Sequence, residues 1–490
     1  MSNSRIAFYN PIPHQLVKGT GEIFRPPMAL IGLAHVARRQ GAEVVIVNGL
    51  HYEDADVQAQ LKAFAPTHLC VSTYHQPNYV KRELAAMAPF RGKIPIIVGG
   101  HEASAWPEGV RSSLRPDFLF MGEGEVALEE FIRSGFRPDA MSAELATAEN
   151  ANGIWQIQGK KRFNLDELPL PTEITGFFRT PNKEMDWEQA NINIARGCVG
   201  HCIYCGGAKK GLGHMSAHRV VEQMHAWKNL GFSYFDFLAA DASSHPKKAT
   251  QIAQAITQDG SFRGDGIYFF ARGDTFVHAL DLKLDDGTPG IEIWRAFLKM
   301  HAVEIETGLE TTVLKRLLPA HFRKYPTQEA AAQHVDHFAR ICELARETGS
   351  KIATDLLSFD PDSTLRGIKT DYETLLAFAE QYPFINVHPS ALYRELYPYP
   401  GTPAAQQFGI PGKVGRLRPY KDRRVPVVLH TLRIHSDFFV GHHRQPLPII
   451  LRRILKLIDF IQTRYPKPAV GPTYSQMDDY VEHEMSPHFN

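Results

Sequence analysis

The chain has few cysteines, only five among 490 residues. A small and odd number of thiols argues against a disulfide-stapled secreted protein and predicts a reducing compartment, where thiols stay free to bind metal. No run approaches the roughly 18 apolar residues that a membrane span needs, and the amino terminus lacks the apolar core of a signal peptide. The sequence therefore predicts a cytoplasmic protein without a membrane segment.

The chain also lacks an excess of charge of either sign. It carries 54 Lys and Arg residues against 53 Asp and Glu, a formal net charge of +1. Because binding to nucleic acid or to an anionic membrane depends on positive charge, neither is an expected partner. A chain of 490 residues is too long for one ordinary hydrophobic core. The composition, 43% apolar and 22% charged, is that of a globular protein. We therefore expect two or three domains.

Short apolar runs alternate with helical stretches in the first 140 residues. The helix between the first two runs begins at Pro26 and Pro27 and ends at Gly41, as helix signals require. This alternation predicts a doubly wound parallel sheet, which binds ligands at the carboxyl ends of its strands. The predicted strands are 5–10, 42–48, 68–73, 94–100 and 117–125.

The segments STYHQPN, GGHEAS and GEGE follow three of these strands. Paired glycines let a backbone approach a large flat ligand or a phosphate closely. Each glycine alone is equally compatible with a tight strand-to-helix turn. Together, at one edge of a sheet, the three segments predict a ligand crevice.

A proline- and acid-rich stretch at 164–174 predicts a linker, and a second pattern of strands and helices follows it. Six strand–helix units between 190 and 400 predict a partial or full β/α barrel, whose catalytic residues gather at the carboxyl ends of the strands. The predicted strands begin at 191, 234, 266, 303, 351 and 385.

Three of the five cysteines, Cys198, Cys202 and Cys205, fall within eight residues on the loop after the first of these strands. Three thiolates on one loop can bind three irons of a cubane cluster and leave the fourth iron open to another ligand. Zinc is the alternative metal, with a fourth ligand from one of the nearby histidines, His201, His214 or His218. A turn without metal is the third possibility. We expect the iron–sulfur cluster, since reduced cysteines seldom cluster without function.

The segment CVGHCIYC resembles the C-x-x-x-C-x-aromatic-C signature of radical S-adenosylmethionine (SAM) enzymes, with Tyr204 in the aromatic position. The domain before it, the LDELPLP linker, GEGE and YPYPGTP at 397–403 resemble the cobalamin-binding subfamily. The resemblance implies a cobalamin-binding domain at 1–140, a linker at 141–185, a radical SAM barrel at 186–405 and a C-terminal helical, substrate-capping domain at 406–490.

The resemblance also implies that the amine and carboxylate of SAM bind the open iron, and it suggests which residues contact SAM. Ala208 departs from the usual acidic or hydroxylic third position of the glycine-rich segment, so a backbone role is expected there. The charged residues at strand ends serve equally well in salt bridges or caps of the barrel. The implied SAM contacts are Tyr204, Gly206, Gly207, Asp241, Arg272, Glu306, Gly308 and Glu310.

The resemblance implies that cobalamin binds in the crevice of the first sheet. The Asp-x-His-x-x-Gly motif that donates a cobalt-binding histidine is absent from the sequence, so no protein imidazole is expected on cobalt. A loop histidine is more often a hydrogen-bonding group than a ligand, and Tyr74 and His75 are therefore expected as contacts. The implied cobalamin contacts are Ser72, Thr73, Tyr74, His75, Gly99, Gly100, His101, Gly122, Glu123, Gly124 and Glu125.

The methylthiotransferase branch of the same superfamily needs three further cysteines in its N-terminal domain for a second cluster. Only Cys70 occurs there, inside an apolar strand, which argues against that branch. Cys342 lies in a helical stretch. Both thiols are expected to be buried and inert.

Near the carboxyl terminus, residues 412–424 carry six basic residues and one acidic residue. The stretch that begins at 447 has the period of an amphipathic helix. These features predict a helical cap with a solvated basic face. Its arginines suit a substrate carboxylate or phosphate as well.

The expected activity is methyl transfer to an unactivated carbon, or to phosphorus, of a small molecule, through methylcobalamin and a 5′-deoxyadenosyl radical. The expected cofactors are a [4Fe-4S] cluster, SAM and cobalamin, and the expected electron donor is a protein such as flavodoxin or ferredoxin. The same cofactors also support cyclisation, ring contraction or non-radical methyl transfer. An alternative of another class is a non-catalytic cobalamin or SAM sensor.

Overall fold

The computed structural model describes residues 4–12, 26–52, 54–73, 77–178, 189–205, 212–440 and 445–485. The chain divides into two compact units. The first is Met1–Gly197, Gly211–Ala239 and Gln258–Asp265, and the second is Cys198–Lys210, Ala240–Thr257 and Gly266–Asn490. The cysteine-bearing segment belongs to the second unit.

The first unit contains a seven-stranded sheet with the order β2-β1-β3-β4-β5-β7-β6. All neighbours pair in parallel except β6 and β7. The inner strands are nearly continuous apolar runs because helices cover parallel sheets on both faces. The strands are β1 Arg5–Asn10, β2 Glu43–Asn48, β3 His68–Ser72, β4 Ile96–Gly99, β5 Phe118–Met121, β6 Ala146–Ala151 and β7 Ile154–Gly159.

The first five strands lie where the sequence predicts them, and β6 and β7 extend the sheet beyond residue 140. These two strands form a hairpin whose turn residues, Asn152 and Gly153, both have positive φ angles. Such a two-residue turn matches the twist of an antiparallel pair. The sheet therefore continues into the stretch 141–185, where the sequence predicts a linker.

Helices alternate with the strands of this sheet. Strand and helix side chains form one apolar core that includes Tyr9, Val47, Leu69, Val98 and Leu119. The helices are α1 Met28–Arg39, α2 Asp54–Phe64, α3 Pro77–Met87, α4 His101–Ala105, α5 Pro107–Leu114, α6 Gly124–Arg133 and α7 Pro171–Ile174.

Arg82 of α3 holds the loops at one edge of the sheet in place. Its guanidinium is buried and donates to the carbonyl oxygens of Pro11, Gly49 and Tyr52, and to Asp54. Four of the five N–H groups of the guanidinium thus have a backbone or carboxylate acceptor. The chain segments that follow β1 and β2 are therefore fixed relative to α3.

The first unit also holds a parallel pair, β8 (Ala190–Asn193) and β11 (Tyr234–Leu238). Between them, the short strands β9 (Ala195–Arg196) and β10 (Gly213–His214) pair antiparallel. Helix α8 (Ala217–Asn229) begins after Ser216, whose hydroxyl accepts the Arg219 N–H as an N-cap.

The second unit contains four strands that pair in parallel in sequence order, each at the position predicted from the sequence. They are β12 Gly266–Phe270, β13 Ala302–Glu306, β14 Lys351–Ala353 and β15 Ile385–Asn386. Helix α9 (Pro246–Asp259) precedes β12. The helices that connect the four strands are α10 Gly273–Asp281, α11 Gly290–Met300, α12 Leu314–Leu317, α13 Gln328–Ala332, α14 His334–Thr348 and α15 Leu365–Gln381. The predicted α/β architecture with parallel sheets is confirmed.

The sequence predicts a helical domain at the carboxyl terminus, but this part of the second unit also contains two strands. The basic stretch 412–424 begins in a hairpin of β16 (Gly409–Ile410) and β17 (Lys413–Leu417). The surrounding helices are α16 Pro403–Phe408, α17 Val425–Ile434, α18 Ser436–Phe439, α19 Leu447–Arg464 and α20 Tyr474–Asp479, and a π-helical turn spans Tyr480–Met485.

Helix α19 is the predicted amphipathic helix. Its apolar face is buried at Ile450, Ile454, Leu457, Ile458 and Ile461, whereas Ile449, expected on that face, is 38% exposed. The helix packs against α15, and Lys369 of α15 pairs with Asp459 at 2.6 Å. None of the helices in the described ranges has the length and apolarity to cross a membrane.

A buried ionic cluster crosses the second unit. Arg316 contacts two fully buried carboxylates, Asp360 and Asp371, and His321 adds a contact to Asp360 at 3.2 Å. Burial alone would raise the pKa of Asp360, but Arg316 and then His321 outweigh it and lower that pKa to about 2. Two carboxylates thus share one guanidinium.

We predict that Arg316→Met destabilises the protein by about 3–5 kcal/mol, because it leaves buried carboxylates without their cation. In the wild type, the depressed pKa of Asp360 gives stability above the unfolded pKa, which is lost as the pH falls from about 4 toward 2. In the variant, Asp360 and Asp371 lack the guanidinium, so their carboxyl groups take up protons at a higher pH. The difference in the free energy of unfolding between the variant and the wild type should therefore shrink as the pH falls.

Denaturant midpoints measured between pH 8 and pH 4 test this prediction. The control is Arg295→Met, which removes a half-exposed pair with Glu347 and should cost no more than about 1 kcal/mol. A loss of stability in Arg316→Met that stays constant across this pH range would contradict the pairing of Arg316 with buried, charged carboxylates.

Candidate cofactor sites

The three clustered cysteines lie on the loop between β9 and β10. The antiparallel pairing of Arg196 with Gly213, and of Ala195 with His214, closes the base of this loop. All three cysteines are free thiols; Cys202 is buried, and Cys198 and Cys205 are half-buried. The loop thus holds three thiols, shielded in part from water, between two paired strands.

Burial raises the pKa of two of the three thiols. Burial raises the pKa of Cys198 to about 11, although its sulfur accepts the Gly200 N–H at 3.2 Å. Burial also raises the pKa of Cys202, and the charge of Arg272 opposes that shift. Since only a thiolate binds metal, a metal or a nearby cation must supply the charge that favours deprotonation.

Arg272 supplies such a cation. Its Nη1 lies 3.5 Å from the sulfur of Cys202. The other donors of the guanidinium are fixed by Asp274, at 3.1 and 2.8 Å, and by the Lys324 carbonyl at 3.2 Å. The Arg272 guanidinium therefore cannot rotate away from the sulfur without breaking its hydrogen bonds to Asp274. Arg272, which the sequence predicts as a SAM contact, therefore contacts the sulfur of Cys202.

Three thiols on one loop are a donor set that an iron–sulfur cluster with one open iron can use. In the described part of the chain, no three His, Cys, Asp or Glu side chains converge as the ligands of one ion. Zinc needs four donors about 2.1–2.3 Å from a single centre. In a cubane each thiolate binds a different iron, so the three sulfurs need not converge. The nearby histidines, His201, His214 and His218, join no such group.

Tyr204, Gly308 and Glu310, all predicted from the sequence, lie together. The Tyr204 hydroxyl donates to Glu310 at 3.3 Å, and Lys324 pairs with Glu310 and donates to the Gly308 carbonyl at 2.8 Å. A Cβ on Gly308 would lie 2.3 Å from the Glu310 carboxylate, so only glycine leaves room for this arrangement. Since Cys205 directly follows Tyr204 in sequence, these groups adjoin the cysteine loop.

Lys324 and Asp274 were not predicted from the sequence. Lys324 lies in an irregular segment after α12, and its side chain is only 2% exposed. Asp274 follows β12 by four residues in the first turn of α10, where a carboxylate is ordinary helix chemistry. No local signal distinguishes either residue from a solvated surface charge.

Asp241 has a different place from the one expected. It is fully buried, and its carboxylate accepts hydrogen bonds from Ser243, Thr275 and the backbone N–H of Arg272. Burial raises the pKa of this group even though these donors oppose the shift. These hydrogen bonds tie Asp241 to the segment that carries Arg272, and its contact with SAM stays a prediction.

Glu306 ends β13, and its carbonyl accepts the Ala271 N–H at 2.9 Å. The Glu306 side chain is half-buried. Gly206 and Gly207 lie outside the described residues, as do Tyr74 and His75.

In the first unit, the ends of β3 and β4 form a close-packed edge. The Thr73 N–H donates to Gly99 at 2.8 Å. A Cβ on Gly100, where φ is +115°, would lie 3.1 Å from the Thr73 backbone and 3.2 Å from the Ser72 hydroxyl. The Thr73 hydroxyl is buried without a partner among the described residues. A buried hydroxyl without a hydrogen bond is costly, which suits a site that a ligand completes.

Gly122, after β5, points toward open space. Its φ is +79°, and no atom lies within 4 Å of the position of an added Cβ. Its N–H donates to the Ser104 hydroxyl at 2.7 Å, which fixes the turn. By contrast, a Cβ on Gly124 would lie 3.0 Å from Leu33, so that glycine serves close packing. His101 is exposed at the start of α4. The edge thus offers room for a large ligand.

Glu123 and Glu125, whose contacts with cobalamin stay a prediction, pair with arginines. Glu125 is buried and binds Arg196 at 2.8 Å. Glu123 binds Arg162 at 3.1 Å, accepts the Phe163 N–H at 3.2 Å and lies 3.9 Å from Arg196. The carboxylates are therefore engaged within the unit. Arg196 precedes Cys198 by two residues, so the GEGE segment anchors the start of the cysteine loop.

The fold is similar to that of the radical S-adenosylmethionine methyltransferase TsrM from Kitasatospora setae. A structure of TsrM with tryptophan substrate and a SAM analogue bound has a TM-score of 0.61 at 14% identity, and it covers 80% of this chain and 75% of that chain. A TsrM structure with cobalamin and a [4Fe-4S] cluster bound has the same TM-score at 15% identity, over 84% and 77%. Identities this low show the fold alone, and they confirm the resemblance predicted from the cysteine spacing at that level.

Curated relatives are threonylcarbamoyladenosine tRNA methylthiotransferases. The Drosophila melanogaster protein is 25% identical over 286 residues, 53% of this chain and 47% of its own length. The Mus musculus protein is 29% identical over 127 residues, 22% of this chain and 21% of its own length. The chain thus spans about half, or less, of the relatives it matches. No protein-family model matches it.

We predict that Gly200→Ala lowers the iron bound after reconstitution. An added Cβ would lie 2.5 Å from Nη1 of Arg272 and 3.3 Å from the Cys198 sulfur. Since Asp274 holds the guanidinium, the loop must shift and the contact of Arg272 with Cys202 is lost. Iron per chain measures this, with Gly213→Ala as the control, because its nearest atom would be 3.5 Å away. Equal iron in both variants would contradict the prediction.

We predict that Glu125→Ala destabilises the first unit by about 1–3 kcal/mol and lowers iron retention, because it leaves the half-buried Arg196 without its nearest carboxylate. The control on the same helix is Glu129→Ala, whose partner Arg133 is exposed, and it should cost at most about 1 kcal/mol. Thermal unfolding and iron content measure the two effects. A variant that loses stability but keeps all its iron would limit Arg196 to a role in the fold.

Proposed function

We propose that the chain is a cobalamin-dependent radical SAM enzyme. The observation that carries this is the loop with Cys198, Cys202 and Cys205, which Arg272 contacts at a sulfur, in a chain whose fold resembles TsrM. The three thiolates would bind three irons of a [4Fe-4S] cluster and leave the fourth iron open to SAM. A fixed guanidinium beside them would offset the negative charge of the thiolates.

The SAM site would include the loop residues Tyr204, Gly206 and Gly207 and the group around Glu310. Gly308 gives Glu310 its room, and Lys324 holds the carboxylate from the other side. Arg272, Asp241 and Glu306 would act as positioning residues at the strand ends. The contact of Arg272 with the Cys202 sulfur, and the hydrogen bond from the Arg272 N–H to Asp241, support this role for those two residues.

The cobalamin site would be the edge formed by Ser72, Thr73, Gly99, Gly100 and Gly122. The unpartnered hydroxyl of Thr73 and the open space beside Gly122 support it. Further contacts are proposed for Tyr74, His75, His101 and the backbone of Gly124. Glu123 and Glu125 would support this edge indirectly, through Arg162 and Arg196. Without an Asp-x-His-x-x-Gly motif, no protein imidazole would bind cobalt.

The proposed reaction is methyl transfer to a carbon or phosphorus of a small molecule. The cofactors supply the methyl group and, for an unactivated position, the radical, while the protein positions them and excludes water. TsrM, which shares the fold, is a methyltransferase with tryptophan as its substrate. The proposed location is the cytoplasm, with an electron-transfer protein as partner and neither nucleic acid nor membrane.

Anaerobic reconstitution tests the proposed cluster. We expect close to four irons and four sulfides per chain in the wild type, and none in Cys202→Ala, because the open-iron geometry needs all three thiolates. The control is Cys342→Ala, which removes a buried thiol on α14 whose pKa burial raises to about 12. Stoichiometric zinc without iron, in protein purified without oxygen, would refute the proposal.

Product analysis with reconstituted protein, cobalamin and SAM tests the activity. A substrate that gains about 14 mass units, one CH₂, supports methyl transfer. Products of unchanged mass with a new ring would indicate cyclisation or ring contraction on the same cofactors. Failure to form either 5′-deoxyadenosine or S-adenosylhomocysteine after reduction would favour a sensor.

A further inference from the structure

The basic hairpin, residues 409–418, is a surface feature that the proposed activity does not use. Its second strand β17 exposes Lys413, Val414 and Arg416. The hairpin begins the stretch 412–424, which has six basic residues and one acidic residue in a chain of net charge +1. The positive charge of this stretch is therefore local.

Few carboxylates balance these cations. Arg418 and Lys421 share one oxygen of Asp362, at 2.7 and 3.0 Å. The only acid within the stretch, Asp422, is taken up by Arg424 at 2.8 Å. No described carboxylate is within ion-pair distance of Lys413 or Arg416. The exposed face of the hairpin consequently carries uncompensated positive charge.

Exposed apolar groups lie beside these cations. Val414 is 47% exposed, and Tyr397 and Tyr399 are 37% and 38% exposed. The two tyrosine rings meet edge to face with centroids 4.7 Å apart. Tyr397 also lies against Gly415, where an added Cβ would be 2.7 Å from its ring. Tyrosine and arginine together are the residues enriched in protein–protein interfaces.

The hairpin is linked to the cysteine loop through helix α16 and one apolar cluster. The N–H of Ala404 in α16 donates to the carbonyl of Ile203 at 3.2 Å, and Ile203 lies between Cys202 and Tyr204. Ile203 and Phe408 belong to one apolar cluster, against which Leu417 of β17 packs. A partner bound at the hairpin would therefore rest on the same packed unit as the residues that hold the cluster.

We propose that the basic hairpin docks an acidic one-electron carrier protein that reduces the iron–sulfur cluster. The inference rests on the proposed function, which needs a reduced cluster. One electron would leave the reduced carrier, which is oxidised by one electron, and enter the cluster, which is reduced by one; no proton or group is transferred. Opposite charge steers such encounters and fixes their orientation.

A protein partner fits this surface better than nucleic acid does. Nucleic-acid binding draws on positive charge spread over a face or along a helix, and the net charge of +1 provides little beyond the hairpin. Electron-transfer complexes are small and transient, so a compact patch with a few cations and a small apolar centre is sufficient.

The test uses reconstituted holoprotein and an acidic bacterial flavodoxin. Lys413→Glu/Arg416→Glu should weaken flavodoxin binding about tenfold, because two attractive charges become repulsive, and should slow reduction of the cluster by flavodoxin to a similar extent. Binding to the wild type should weaken as ionic strength rises. Reduction by titanium(III) citrate, a small chemical reductant, should be unchanged in the variant.

The matched control is Lys283→Glu/Lys351→Glu, two exposed cations of the same unit outside the hairpin, which should bind flavodoxin like the wild type. A second variant, Lys413→Ala/Arg416→Ala, removes the attraction without adding negative charge and should give a smaller effect of the same sign. Calorimetry measures affinity, and stopped-flow absorbance measures cluster reduction.

The outcomes separate the inference from the function on which it rests. Unchanged flavodoxin binding and reduction in the hairpin variant would overturn the docking site while leaving the enzyme intact. Loss of RNA binding with unchanged flavodoxin binding would overturn it in favour of a nucleic-acid surface. A wild-type protein that builds no cluster, and so accepts no electron even from titanium(III) citrate, would remove both the proposed function and the docking site.

Discussion

The contact between the Arg272 guanidinium and the Cys202 sulfur is the interaction on which the cysteine loop depends. Burial favours neutral thiols, and a metal cluster requires thiolates, so the loop needs a lasting positive charge. Arginine provides it because its guanidinium stays protonated even when buried. Asp274 and the Lys324 carbonyl fix the direction of the fork. Gly200 then has no room for a side chain, since any Cβ would meet Nη1.

A second arginine–carboxylate arrangement holds the entry to the same loop. Arg196 is bound by Glu125 and approached by Glu123, both from the GEGE segment after β5. Breaking a buried pair by removing one partner leaves an unpaired charge, so each side chain needs the other. The segment that sequence reasoning assigned to cobalamin therefore acts on the chain that leads to the cysteines. A loss of cobalamin binding in Glu125 variants would for this reason not identify a direct contact.

Sequence reasoning located the first five strands of the seven-stranded sheet, the four parallel strands of the second unit and the three cysteines, because these depend on local patterns. Continuous apolar runs mark buried parallel strands, and three thiols within eight residues are visible without a fold. The roles of charged residues at strand ends were not visible. Glu125 and Arg196 are 71 positions apart, and Arg272 and Cys202 are 70 apart. Such pairings exist only once the chain has folded, as does the use of Lys324.

The similarity to tRNA methylthiotransferases and the similarity in fold to TsrM are compatible at the cysteine loop and diverge in the first unit. The methylthiotransferase branch needs three further cysteines in the N-terminal domain, and this chain has one. Cys70 is buried in β3, and desolvation raises the pKa of its thiol far above the ordinary value. A neutral thiol inside a strand cannot join a second cluster, since metal binding needs an accessible thiolate. The edge of the first sheet is left with glycines and an unpartnered hydroxyl at Thr73, which suit an organic cofactor and not iron.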